Sequence, residues 1–261
     1  MTLTSTDIKE FPVLGIKVQD LSWSSAFAFS LSCLKDDIEQ HVFAFLNANN
    51  ANISIKDEAY TDALSRAKVL PDGFGIDIAS KITRGKMFPA NLNGTDFVPS
   101  LLVYVQEPLT VALIGGKGDV VDKAAENFHQ KTPWHKFVVI SDGFFGPQGT
   151  QSVLDDLSAL KPDILLVGMG SPVQEKWVDQ NIQPEHGKLV FTVGALFDFV
   201  SNGMPRAPDR WRKLRLEWLY RLVNEPRRLW RRYIIGNPLF IWHVLRQKFF
   251  NKPKDTRISS T

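Results

Sequence analysis

The stretch DILLVGMGSPVQEKW, residues 163–177, decides the fold. Asp163–Val167 is a short apolar run of strand character, and it closes on the turn Gly168-Met169-Gly170-Ser171-Pro172. Ser171 then stands where a helix N-cap is expected, Pro172 at the first helical position, and Gln174 three residues after Ser171, as in a capping box. The segment therefore reads as strand, turn, helix. A helix N-terminus beside a strand end offers unpaired N–H groups and a partial positive charge, which suit a phosphate. A well-capped structural helix would carry the same pattern, and the pattern alone leaves both readings open.

Working outward, the same unit recurs. Strands are expected at His41–Leu46, Ala67–Leu70, Thr110–Ile114, Phe137–Ile140 and Leu189–Val193, separated by longer amphipathic stretches. Their turns are Asn47-Ala48-Asn49-Asn50, Pro71-Asp72-Gly73, Gly115-Gly116-Lys117-Gly118 and Ser141-Asp142-Gly143. This alternation predicts an α/β fold, a Rossmann-like, mainly parallel sheet with flanking helices. Ligands of such sheets bind outside the carboxyl ends of the strands, so these turns mark the edge where a site is expected. No internal repeat interrupts the pattern.

The 261 residues are 44% hydrophobic and 23% charged, enough for a sizeable core. The single cysteine, Cys33, excludes an intramolecular disulfide and a multi-cysteine metal site, and the N-terminus lacks the basic and apolar regions of a secretory signal. Both features point to a reducing cytoplasm. Net charge is only +3, but the C-terminal quarter is basic. Arg206, Arg210, Arg212, Lys213, Arg215, Arg221, Arg227, Arg228, Arg231 and Arg232 fall there, interleaved with Trp211, Trp218, Trp230 and Trp242. The apolar stretch Ile234–Leu245 is broken by Gly236, Asn237, Pro238 and His243 and is shorter than the roughly 20 residues that cross a bilayer. The composition fits a solvated face, a nucleic-acid groove or a membrane-surface helix. Tryptophan favours the last, and no nucleic-acid motif accompanies the cluster. The expected division is 1–200 as the Rossmann-like catalytic domain, 201–250 as an Arg/Trp-rich, helical, membrane-associating appendage, and 251–261 as a polar tail.

Several residues invite chemistry. Gly116 and Gly118 give a G-x-G turn, but Val121 holds the place of the third glycine, which weakens a nicotinamide-dependent oxidoreductase reading. Asp142 stands at a strand tip, where a ribose hydroxyl is often held. Asp72 follows a strand and precedes Gly73 and Gly75, the placement of an exposed general base as well as of a turn-shaping aspartate. No paired aspartates or His/Cys/Asp cluster with metal-ligand spacing occur, so a departing diphosphate would be met by arginine rather than by a metal.

Taken in order, PDGFGI (71–76), NGTDF (93–97), ALIGGKGDVVDKAAENF (112–128), SDGFFGP (141–147), LLVGMGSPVQEKW (165–177) and VGALFDFVSNGMPRAPDRWRKLRLEWLYRLVNEPRRLWRRY (193–233) resemble the WecG/TagA/CpsF family of glycosyltransferases. The likeness covers residues 47–233. It implies an inverting transfer from a UDP-sugar to a polyprenyl-diphosphate-linked sugar, without a metal or other cofactor, at the cytoplasmic face of the bacterial inner membrane. By the same resemblance Asp72 is the base and Asn47 lies beside the reacting sugar. The nucleotide-sugar site would draw on Asn49, Gly94, Asp96, Gly115, Gly116, Asp142, Gly143, Gly168, Gln174 and Glu175. Arg221, Arg227, Arg228, Arg231 and Arg232 would close over the diphosphate. Inner-membrane lipids are an expected partner and nucleic acid is not; homo-oligomer formation stays open. Phe45 stands where the family has a threonine, and Asn91 where it has an arginine. A further likeness, to glucosyltransferases of xanthan-type exopolysaccharide pathways, points to UDP-glucose, with UDP-N-acetylmannosamine or UDP-N-acetylmannosaminuronate as the alternative. A membrane-bound nucleotide-sugar-binding protein without catalysis is the remaining reading.

Overall fold

A computed structural model describes residues 8–203, 208, 211 and 217–250. Its centre is an eight-stranded sheet of β1 (Glu10–Val13), β2 (Ile16–Gln19), β3 (His41–Leu46), β4 (Lys68–Pro71), β5 (Thr110–Gly115), β6 (Lys136–Ser141), β7 (Ile164–Gly168) and β8 (Leu189–Thr192). The spatial order is β1-β2-β4-β3-β8-β7-β5-β6, and every pairing but β1–β2 is parallel. The expected α/β fold is thus observed. Strand limits move by a residue at several ends; β4, for example, takes Pro71 rather than Ala67. The β1–β2 hairpin was not anticipated. It turns through Leu14 and Gly15, both at positive φ, the two-residue geometry that matches strand twist.

The central strands are apolar on both faces, as a sheet covered on both sides requires. In β3, Phe43 and Phe45 point one way and Ala44 and Leu46 the other, and all four are buried. The phenylalanine face packs against α1 (Trp23–Leu34), then α5 (Gly94–Tyr104), α6 (Val120–Lys131) and α9 (Leu196–Val200). On the opposite face, α2 (Ala48–Ser54), α3 (Glu58–Arg66) and α4 (Phe74–Arg84) cover the β2–β4–β3 half. There α7 (Pro147–Leu160) and α8 (Val173–Asn181) cover the other half. Arg84 pins the edge hairpin to α4. Its guanidinium donates two hydrogen bonds to Asp20, at 2.7 and 2.6 Å, and lies over the rings of Phe11 and Phe88.

The sequence pattern around Ser171 needs correction. Pro172 itself takes the cap position, α8 starts at Val173, and the Ser171 hydroxyl makes no cap bond. The turn expected at Asn47–Asn50 is instead a helix start, with Asn47 as the N-cap of α2.

The described C-terminal segment is helical: α10 (Glu217–Asn224), α11 (Pro226–Trp230), a single π-helical turn at Arg231–Ile235, and α12 (Gly236–Phe250). Arg206, Arg210, Arg212, Lys213 and Arg215 lie outside the described residues, as does the expected tail 251–261. None of the described helices is long and apolar enough to cross a membrane. Helix α12 is part of the core. Phe240 and Val244 are buried against α2 and α4, and Asn52 Nδ2 donates to the Gly236 carbonyl at 2.8 Å. Lys248 Nζ caps the Ile82 carbonyl at 2.6 Å.

Because the Phe240 ring has no exposed surface, Phe240→Ala should cost about 3–5 kcal/mol in urea unfolding, the range for emptying a buried aromatic site.

Candidate active site

Ladder geometry alone brings Asn47 and Asp72 together. Leu46 of β3 is paired with Pro71 of β4, and the next residues in each chain are Asn47 and Asp72. Parallel neighbours lie about 4.8 Å apart, and the Asp72 N–H extends the ladder by donating to the Leu46 carbonyl at 2.9 Å. Asn47 Oδ1 accepts from the Asn50 N–H at 3.1 Å, which is the helix cap. That bond fixes which end of the amide is which. Its Nδ2 therefore faces the carboxylate and donates to Asp72 Oδ2 at 3.2 Å.

The pair sits in a cavity of about 620 Å³ above the carboxyl ends of β4, β3, β8 and β7. Asn47, Asn49, Asn50, Asn91, Asn93, Thr95 and Ser171 give it a wall of amides and hydroxyls, and Phe45 an aromatic edge. The Phe45 ring lies so close to Gly94 that a β-carbon there would come within 2.9 Å of it. Glycine at 94 thus lets the Phe45 ring pack against the start of α5, at a residue that also lines the cavity. Asn91 accepts from the Gly73 N–H at 2.9 Å and shapes the turn after Asp72.

The C-terminal segment supplies the opposite wall. Trp218, Arg221, Arg232, Tyr233 and Asn237 line the cavity. Arg221 lies over the Phe199 ring and Arg232 over its neighbour Tyr233. Asp72 is the only carboxylate among the described lining residues. Burial raises its pKa; the Asn47 hydrogen bond and the positive fields of Arg232 and Arg221 act against that rise, and Asp96 adds to it.

Asn49 and Gln174 line the cavity, but the Gln174 carboxamide is engaged within the protein. Its Oε1 accepts from the Gly170 and Gly194 N–H groups, each at 3.0 Å, and its Nε2 donates to Glu175 Oε1 at 2.8 Å. Glu175 is buried beneath, and burial raises its pKa. Asp96 lies in the first turn of α5, bonded to Asn93.

Gly115, Gly116, Asp142, Gly143 and Gly168 stand at the ends of β5, β6 and β7, beside the described lining rather than in it. A β-carbon on Gly115 would meet the Gly168 carbonyl oxygen at 2.4 Å, so close backbone packing alone accounts for glycine there. Asp142 is exposed and accepts from the Phe144 N–H at 3.0 Å. Among the arginines, Arg227 and Arg231 are exposed and do not line the cavity, while the Arg228 side chain lies outside the described part.

Asn50, Asn93, Trp218, Tyr233 and Asn237 were not singled out as site residues in the sequence. For Asn50 a signal existed, since three asparagines crowd the end of one strand. Cys33 is buried and its thiol is pushed up to about 12 by that burial, which keeps it from nucleophilic work. Among the described residues, the one cluster with metal-ligand character is Asp36, Glu39 and His41. It lies at the opposite end of β3, where His41 and Asp36 are bonded to each other at 2.9 Å.

The sequence model of the glycosyl transferase WecG/TagA/CpsF family matches residues 11–254. An N-acetylglucosaminyldiphosphoundecaprenol N-acetyl-beta-D-mannosaminyltransferase of Bacillus subtilis (strain 168) is 31% identical over 231 residues, 84% of this chain and 88% of that protein. A protein of the same description from Bacillus spizizenii is 30% identical over 216 residues, 81% of this chain and 82% of its own. With a match that runs from the first strand past the last described helix, the chain belongs to the WecG/TagA/CpsF family of glycosyltransferases.

Proposed function

We propose that this glycosyltransferase moves a sugar from a UDP-sugar to a sugar carried on a polyprenyl diphosphate, with inversion at the anomeric carbon. The observation that carries the reading is the Asn47–Asp72 pair, set in a cavity that Arg221 and Arg232 close from the other side. Asp72 takes the proton of the acceptor hydroxyl while that oxygen bonds to the anomeric carbon. The bond from that carbon to the diphosphate breaks, and its electron pair leaves with the diphosphate. Arg232 and Arg221 stabilise the charge that develops. A raised pKa suits this base, because proton transfer is most efficient when the pKa approaches the working pH.

The relatives' descriptions name an N-acetylmannosaminyl group and an undecaprenyl-diphosphate acceptor. They favour UDP-N-acetylmannosamine over the UDP-glucose suggested by the sequence. The strand ends adjoining the cavity, with Gly115, Gly116, Asp142 and Gly143, are the proposed seat of the uridine. A lipid-linked acceptor also requires approach to a bilayer from the cytoplasmic side. Trp230, Ile234, Ile235, Trp242, Phe249 and Phe250 are exposed along the C-terminal helices beside Arg227, Arg231 and Arg246, a composition suited to an anionic membrane surface.

Removal of the base in Asp72→Asn should lower turnover by about 10²–10⁴-fold. In the wild type, the acidic limb of the kcat/KM profile should lie above the ordinary aspartate range. The sign for stability is opposite. A carboxyl whose folded pKa exceeds its unfolded value costs stability once pH rises through the unfolded value, so Asp72→Asn should melt higher than wild type at pH 7. Arg232→Ala should lower kcat by about 10²-fold, and Arg227→Ala by much less, in the same UDP-release assay.

A further inference from the structure

We infer that Glu175 is a positioning residue for transfer, holding Asn47 and Asp72 in register through Ser171 and Asn50. The inference rests on Asp72 being the base. A carboxyl buried in the first turn of a helix, as Glu175 is in α8, costs stability relative to an apolar side chain of similar size. Its place therefore calls for a reason, and its hydrogen bonds supply one.

Ser171 Oγ donates to Glu175 Oε1 at 2.7 Å, beside the Gln174 bond to the same oxygen. With its proton committed there, the Ser171 oxygen accepts from Asn50 Nδ2 at 3.2 Å. Asn50 uses the same amide group to hold the Phe45 carbonyl at 3.1 Å, at the end of β3. Its backbone N–H holds Asn47, and Asn47 holds Asp72. Gln174 adds the β8 end by accepting from Gly194. One continuous network thus crosses the ends of β7, β8, β3 and β4, which are neighbours in the sheet.

Glu175 borders a separate cavity of about 30 Å³, with Thr192 and Arg66, and does not line the larger one, and so acts on the reaction only through others. Tyr60 and Thr192 face its carboxyl. The groups that face Asp72 are Asn47 at the N-cap of α2, Asp96 on α5, Arg221 on α10 and Arg232 in the π-helical turn. Loosening Asn50 frees the Asn47 amide, withdraws its hydrogen bond from the Asp72 carboxylate and raises the pKa of that base.

The test uses the full chain with UDP-N-acetylmannosamine and polyprenyl-diphosphate-linked N-acetylglucosamine, and compares E175L, E175Q, S171A and D72N. E175L and S171A should lose roughly 10- to 100-fold in kcat, the scale of small misplacements at a reacting centre, with less change in donor KM. Their kcat/KM acidic limb should move to higher pH. E175Q keeps a carbonyl acceptor for Ser171 and Gln174 and should restore both the rate and the limb. If E175L does not fold, S171A and E175Q carry the comparison. A folded E175L or S171A whose acidic limb stays at the wild-type position overturns the inference, as does an E175Q no better than E175L. An active D72N would instead overturn the assignment of the base.

Discussion

The amide of Asn47 cannot turn without breaking a helix cap. Its oxygen is held by the first turn of α2 and its nitrogen by Asp72, so one side chain sets both the start of a helix and the orientation of the proposed base. The arrangement follows from the sheet. Two parallel strands in register end together, and the residues just beyond them must lie side by side. The order β4-β3-β8-β7 then assembles the rest, because neighbouring strand ends bring Asn50 within hydrogen-bond reach of Ser171 and the Gly194 turn within reach of Gln174. What looks like a loop-built site is fixed by strand pairing, which is the more rigid scaffold.

A carboxylate placed in that crevice is desolvated, and desolvation is the largest influence on Asp72. Arginines from the C-terminal helices offset part of the cost. The same charges are available to a departing diphosphate, so in the proposed mechanism one pair of cations would serve both the resting base and the leaving group. This coupling depends on α12. Its Phe240 and Val244 are buried against the helices that begin at Asn47 and just after Asp72, so the segment carrying Arg232 is docked on the elements that position Asp72. Exposed Trp230, Ile234 and Trp242 lie on the same segment, which places the proposed bilayer contact within a few helical turns of the cavity.

Much of this was legible in the sequence, for identifiable reasons. Strands buried on both faces are continuous apolar runs, and β3, β5 and β7 stood out for that reason. Asp72 and Asn47 were legible as residues at strand ends that match a family pattern. The β1–β2 hairpin leaves little trace in the sequence because four-residue strands containing Pro12 and Lys17 give little periodicity. Glycine turns were ambiguous in principle. Gly115 is demanded by the Gly168 backbone, and a phosphate cradle would present the same residue. Gln174 and Glu175 were visible as a motif, but the bond from Gly194 to Gln174, and that from Asn50 to the Ser171 that Glu175 holds, depend on which strands become neighbours. The arginines could not be ranked from spacing, since the π-helical turn at Arg231–Ile235 alters the residue period at the point where Arg232 meets the cavity.

The most direct measurement is UDP release by the full chain, with and without polyprenyl-diphosphate-linked N-acetylglucosamine, for UDP-N-acetylmannosamine and UDP-glucose in parallel. Acceptor-dependent release from UDP-N-acetylmannosamine, with UDP-glucose much the poorer donor, is the result predicted. Acceptor-dependent release from UDP-glucose alone would contradict the donor assignment, and no release with either donor in the presence of this acceptor would contradict the proposed transfer.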